Sequence, residues 1–286
     1  MAVRQVFLPA RGLSALVDAQ GIRVAAAGRV TRSDLPALAL GVGPGERLLA
    51  LCADGCLWQV GTRHSQRLWE SIDALSADPH LLAAVQGGQR LLLEGERSCT
   101  SVSLPARPQG LAALGGGGSL PHLALLMLAN AAWLIGWNEE EGAVRVLELF
   151  RGPAAEGALL EGSPALLALR EPARFGATRL HLWNVLCDGG MLRFVALAPL
   201  FLDPALPLAL RNGPGGPVAL CGTGRWAVWR HDRWSFEHLR SALAHDFLPT
   251  RIYGNPAALE PYPPAVDKEP LPRRNKLAVS ALARRT

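Results

Sequence analysis

Leu51-Cys52-Ala53-Asp54-Gly55-Cys56-Leu57-Trp58-Gln59-Val60 is an apolar run, a tight Asp-Gly turn and a second apolar run carrying a tryptophan. Asp-Gly tolerates the positive φ that a two-strand turn requires, so the segment predicts a β-hairpin. The same plan returns in Leu186-Cys187-Asp188-Gly189-Gly190-Met191-Leu192-Arg193-Phe194-Val195. It returns again around Gly87-Gly88, Asn130 and Gly222-Thr223-Gly224, and more weakly around Gln20-Gly21. Four of the eight tryptophans (Trp58, Trp133, Trp183 and Trp226) fall at similar places in the second run, which argues for packing on sheet faces.

The six hairpin centres lie near residues 20, 54, 87, 130, 188 and 223, at intervals of roughly 34, 33, 43, 58 and 35 residues. Several strands per interval of about 40 residues is the spacing of β-propeller blades, with each hairpin expected as a blade's inner pair. Ile72-Asp73-Ala74-Leu75-Ser76-Ala77-Asp78-Pro79-His80-Leu81-Leu82-Ala83-Ala84-Val85 resembles the opening of a WD40 blade, and Thr178-Arg179-Leu180-His181-Leu182-Trp183-Asn184-Val185 resembles its closing strand. Asn184 stands where that family usually carries an Asp, and no Gly-His pair occurs at the expected positions. The resemblance spans about residues 10–235 and implies an all-β, degenerate WD40-like propeller of about six to seven blades. Two smaller β domains joined through Gly115-Gly116-Gly117-Gly118 are the alternative architecture, since four glycines also read as a linker.

After the propeller-like domain (1–234) the pattern changes. Phe236, Leu239, Leu243 and Phe247 recur at helical spacing, with Ser235 as cap and Pro249 as stop, which predicts an amphipathic helix over 235–250. Residues 251–286 form a Pro-rich and then basic tail. This tail holds seven basic and three acidic groups of the net +5, so residues 1–250 are nearly neutral, with 22 basic and 21 acidic groups. The high isoelectric point is therefore a property of the tail and does not indicate a nucleic-acid-binding body.

No stretch is long and apolar enough for a membrane-spanning helix, and no secretory signal follows Arg4. Arg4 and Arg11 faintly resemble a mitochondrial presequence, which Pro9 would break; a first strand is the plainer reading. Five cysteines, four of them in apolar runs, predict reduced, buried thiols in a cytoplasmic or nuclear protein.

Candidate chemistry is sparse. No Gly-x-Ser-x-Gly elbow is present, and no lysine follows the glycine run to reach a phosphate. Cys52, Cys56 and His64 lack a fourth zinc ligand, while His238 and His245 with Glu237 and Asp246 read as a solvated helix rim. Glu139-Glu140-Glu141 reads as a solvated turn. No catalytic residue, cofactor or metal is therefore expected. The sequence points to a non-enzymatic scaffold subunit whose partners are other protein subunits. Pro270, Pro272, Arg273, Arg274, Lys276, Arg284 and Arg285 form the expected docking tail, and Arg225, Trp229, Arg230 and Arg233 a possible contact surface. The alternatives are a nucleic-acid accessory protein using that tail and that Arg/Trp surface, and an enzyme with a site assembled from propeller loops.

Overall fold

The computed structural model describes residues 5–8, 12–18, 20–117, 120–173, 176–188, 191–213 and 216–238. Strands follow one another as antiparallel sheets in chain order. The first sheet holds β1 (Gln5–Leu8), β2 (Leu13–Asp18), β3 (Gly21–Ala26) and β4 (Arg29–Ser33); the second holds β5 (Ala37–Gly43), β6 (Arg47–Cys52), β7 (Leu57–Val60) and β8 (Ser65–Trp69). In the third are β9 (Ile72–Asp78), β10 (Leu81–Gln86), β11 (Arg90–Glu94) and β12 (Cys99–Ser103). The fourth comprises β13 (Gly110–Leu114), β14 (His122–Met127), β15 (Ala131–Asn138) and β16 (Ala143–Arg151). β17 (Glu156–Leu160), β18 (Ala165–Arg170), β19 (Thr178–Asp188) and β20 (Met191–Ala196) make the fifth, where β21 (Leu200–Leu202) also pairs with β19. The sixth is β22 (Leu210–Gly213), β23 (Gly216–Gly222), β24 (Arg225–Arg230) and β25 (Arg233–His238).

The first strands lie innermost, for β1 touches β5, β5 touches β9, β9 touches β13 and β13 touches β17. Apolar side chains fill the space between consecutive sheets. Val24 and Leu40, Leu51 and Leu82, Leu91 and Leu126, Leu125 and Leu167, and Leu182 and Leu210 are members of five successive clusters. Inner strands buried on both faces read as continuous apolar runs, which is why β10, β13 and β14 lack the alternation of a half-solvated strand.

Five of the six hairpins join the second and third strands of their sheets, not the inner pair expected. Gly55, Gly87, Gly88 and Gly224 in these turns have φ between 57° and 76°, the region that glycine enters without a Cβ penalty. The sixth hairpin, at 188, joins the third and fourth strands of the fifth sheet. That sheet's middle pair is joined by the longer connection 171–177, and this accounts for the irregular interval of about 58 residues. Trp58, Trp133, Trp183 and Trp226 all fall on third strands.

Three further expectations change. The glycine run at 115–118 joins β13 to β14 within one sheet, so it is no linker between domains. Thr178–Val185 belongs to the third strand of its blade and not the closing one. Ser235–His238, the expected start of the helix, is paired strand in β25, with Ala227 opposite Phe236 and Val228 opposite Ser235. There the alternation of Trp234 and Phe236 with Arg233, Ser235 and Glu237 outweighs the helical spacing. The remainder of that predicted helix lies outside the described residues.

One buried polar contact ties inner strands of neighbouring sheets. Ser76 on β9 is 0 % exposed, and its Oγ accepts the Ala113 amide of β13 at 2.9 Å. Ser76→Ala leaves that amide without its acceptor, and a loss of about 1 to 2 kcal/mol is expected in urea unfolding. An unchanged midpoint would show that the contact contributes nothing net.

Candidate functional site

Antiparallel alternation brings the connections after first and third strands to one rim. There the loops 79–80, 95–98 and 139–142, residues 116–117 and 120–121, and the end of the hairpin at Cys187 and Leu192 line a cavity of about 580 Å³. Its charged lining comprises Glu96, Glu139, Glu140, Glu141, Arg97 and Arg145, together with His80 and His122.

Glu139 is the centre of this cluster and is not the solvated turn residue that its sequence context implies. Its side chain is only 12 % exposed. Oε1 accepts the amides of Arg97 and Ser98, each at 2.6 Å, and Oε2 lies 3.4 Å from His122 Nε2. Burial pushes the Glu139 pKa up, but the two amides and His122 outweigh it and hold the carboxyl below its ordinary value of 4.5. His122 Nδ1 accepts the Gly116 amide at 2.9 Å, so the ring proton of the neutral imidazole sits on Nε2 and points at Glu139. Both ring nitrogens are thus engaged within the loops. The dyad pins three connections together and leaves no imidazole nitrogen free to act as a base.

Nearby, the carboxylate of Glu96 hydrogen-bonds His80 Nδ1 at 2.7 Å. That bond, against a smaller opposing effect of burial and with Asp78 close by, raises the His80 pKa above 6.5. Both side chains are more than half exposed, so the pair contributes little to stability.

At the opposite rim Arg170, the last residue of β18, is buried with a side chain 8 % exposed. Its Nη1 donates to Glu156 Oε2 at 2.9 Å and to the Leu206 carbonyl at 2.8 Å. Nη2 donates to the carbonyls of Asp203 and Pro204 at 3.3 and 3.1 Å. One guanidinium therefore ties the connection between the fifth and sixth sheets to the fifth sheet. The sequence shows only an arginine ending an apolar run, with nothing to mark its partners more than thirty residues away.

The expected contact surface is divided. β24 and β25 pair Arg225 with His238, Trp229 with Trp234 and Arg230 with Arg233. Alternation places Arg225 and Trp229 on one face of the sixth sheet and Arg230 and Arg233 on the other. Arg225 lies 4.6 Å over the Phe236 ring, Trp229 packs edge-on against Trp234, and Arg230 pairs with Glu237 at 3.0 Å. No single basic, aromatic surface results. Pro270, Pro272, Arg273, Arg274, Lys276, Arg284 and Arg285 lie outside the described residues.

The cysteines are free among the described residues, but they are not uniformly buried. Cys52 and Cys56 are buried, Cys187 and Cys221 partly so, and Cys99 is exposed on β12. Burial pushes the Cys52 thiol up to about 11. Cys52 and Cys56 flank the turn at one end of β7 and His64 follows its other end, so the sequence trio does not converge. Among the described residues no group of three His, Cys, Asp or Glu could hold a metal, and no helix is long and apolar enough to cross a membrane.

Six antiparallel blades, five of four strands and one with a fifth strand, consecutive in the chain and each packed on the next, define a divergent β-propeller. Among solved structures the chain is similar to the N-terminal domain of Nup159, with 10% identity and a TM-score of 0.47 over 82% of this chain and 75% of that one. It is also similar to a functionally unknown protein from Desulfotomaculum acetoxidans, with 8% identity and a TM-score of 0.47 over 82% and 84% of the two chains. A third likeness is to BBS1N, solved in complex with ARL6DN, with 14% identity and a TM-score of 0.47 over 80% and 76%. No family model and no curated protein matches the sequence.

Proposed function

We propose that this protein is a non-enzymatic interaction subunit of a multiprotein complex in the cytoplasm or nucleus. The observation that carries the reading is where apolar surface lies. Of the ten large hydrophobic side chains exposed among the described residues, seven belong to the fourth, fifth and sixth blades. Val146 and Leu147 lie on opposite faces of the outer strand β16, while Leu186, Met191 and Val195 share one face of the β19–β20 hairpin, with Met191 65% exposed. A concentration of this kind marks a contact surface. The engaged nitrogens of His122 support a binding role over catalysis, and the divided arginines weigh against a nucleic-acid surface. The tail from 251 onward, with Pro270 to Lys276 at its centre, is proposed as a second docking element beyond the propeller, whose last described strand ends at His238.

Affinity capture from cells tests the reading with three tagged forms: the full chain, the full chain carrying Leu186→Ser, Met191→Gln and Val195→Thr, and a form ending at residue 254. Loss of stoichiometric partners is expected from the surface variant, and of a different subset from the truncated form. Identical partner sets in all three would overturn both surfaces.

A further inference from the structure

Thr62, Arg63 and His64 form the tip of the connection between β7 and β8. The loop closes where the Gly61 amide donates to the His64 carbonyl at 3.1 Å. A Cβ on Gly61 would lie 2.5 Å from that same carbonyl oxygen, so the tight closure depends on glycine. Across from the tip stand β3 and β4 of the first blade, and between them lies a cleft of about 290 Å³. Its lining is unlike that of the larger cavity. Arg32, Arg63 and His64 are its only titratable groups; Ser33, Thr62 and Ser65 add hydroxyl-bearing residues to the lining, the Thr31 hydroxyl donates to the Val24 carbonyl at 3.4 Å, and no carboxylate contributes. Alternation on β4 turns Arg32 to the other face of its sheet, where it lies 3.4 Å from Asp18. Arg63 therefore supplies the positive end, with the His64 imidazole beside it, and neither has a carboxylate partner among the described residues.

We propose that this cleft receives one phosphate dianion carried on a serine or threonine side chain of a protein partner. Guanidinium, imidazole and hydroxyl donors converging without a competing acid are the chemistry that recognises a phosphate monoester. The volume is ample for a phosphate together with the side chain that carries it. No Trp, Tyr or Phe lines the cleft, and the near-neutral body offers no basic track for a longer polyanion. The choice of a protein as carrier rests on the scaffold reading above; the anion subsite does not.

The full chain, titrated with inorganic phosphate at constant ionic strength, tests the subsite through the His64 imidazole resonance in NMR, assigned with His64→Gln. A saturable shift is expected. Arg63→Gln should weaken binding about tenfold, while Arg90→Gln on the exposed start of β11 should leave it unchanged. A shift that never saturates, or one indifferent to Arg63→Gln, overturns the subsite. A phosphoserine peptide should displace phosphate where its unphosphorylated form does not. If that peptide fails, or a short oligouridylate displaces phosphate at lower concentration, the protein carrier is overturned and the anion subsite stands. Neither result depends on the partner capture that tests the scaffold reading.

Discussion

Arg170→Met is expected to cost about 3 to 5 kcal/mol of folding stability, more than any other substitution considered for this protein. The methionine fills much of the same volume but donates no hydrogen bond. It strands the carbonyls of Asp203, Pro204 and Leu206, which the guanidinium now satisfies, together with the Glu156 carboxylate. Arg170→Lys keeps the charge but not the planar fork, and should recover less than half of the loss. Glu156→Gln should matter far less, because that side chain is 37 % exposed and water can replace its partner. Urea unfolding of the three variants gives the order directly. A methionine variant within about 1 kcal/mol of the parent would show that water reaches the stranded carbonyls and that Arg170 is no anchor.

Glu139→Ala is expected to lose about 2 to 3 kcal/mol, because two charge-assisted hydrogen bonds to the amides of Arg97 and Ser98 go with it while water partly takes their place. The loss should depend on pH with a defined sign. The folded-state pKa of Glu139 lies below its ordinary 4.5, so its contribution is complete above about pH 4.5 and disappears as the pH falls through the lower folded value. The parent and the alanine variant should therefore converge in stability in acid. Glu139→Gln should fall between them at neutral pH, since its oxygen can still accept the two amides but its NH₂ meets the His122 Nε2 proton. A difference between parent and alanine variant that stays constant from pH 7 to pH 3 would mean that packing, not the carboxylate charge, holds the loops.

Much of the fold was legible because tight turns constrain residue type locally. Gly55, Gly87 and Gly88 announce their hairpins, and Trp58, Trp133 and Trp226 mark the run that follows three of the turns, whereas Trp183 precedes the turn at 188. Legibility failed where geometry is set from a distance. The connection at 171–177 carries no Asp-Gly or Gly-Gly pair, so the sequence marks the fifth blade through its outer hairpin at 188 instead. Phe236 fits helical and strand spacing equally; the pairing of β25 with β24 decides between them. The candidate site was harder still. Three consecutive glutamates look solvated, and nothing near them tells that the amides of Arg97 and Ser98, more than forty residues earlier, will close on the first. His122 and Arg170 likewise acquire their roles only from loops brought together by the packing of blades.

Among the described residues every blade builds its hydrogen-bond ladder from its own consecutive strands, and none borrows a strand from another blade. What adjoining blades share is side-chain area and a few polar pins, so their coupling is of nearest-neighbour kind. Such a chain behaves as a row of linked units, each with an intrinsic stability and an interface to the next. A weakened blade then lowers the barrier for its two neighbours first, and damage spreads along the row from that point.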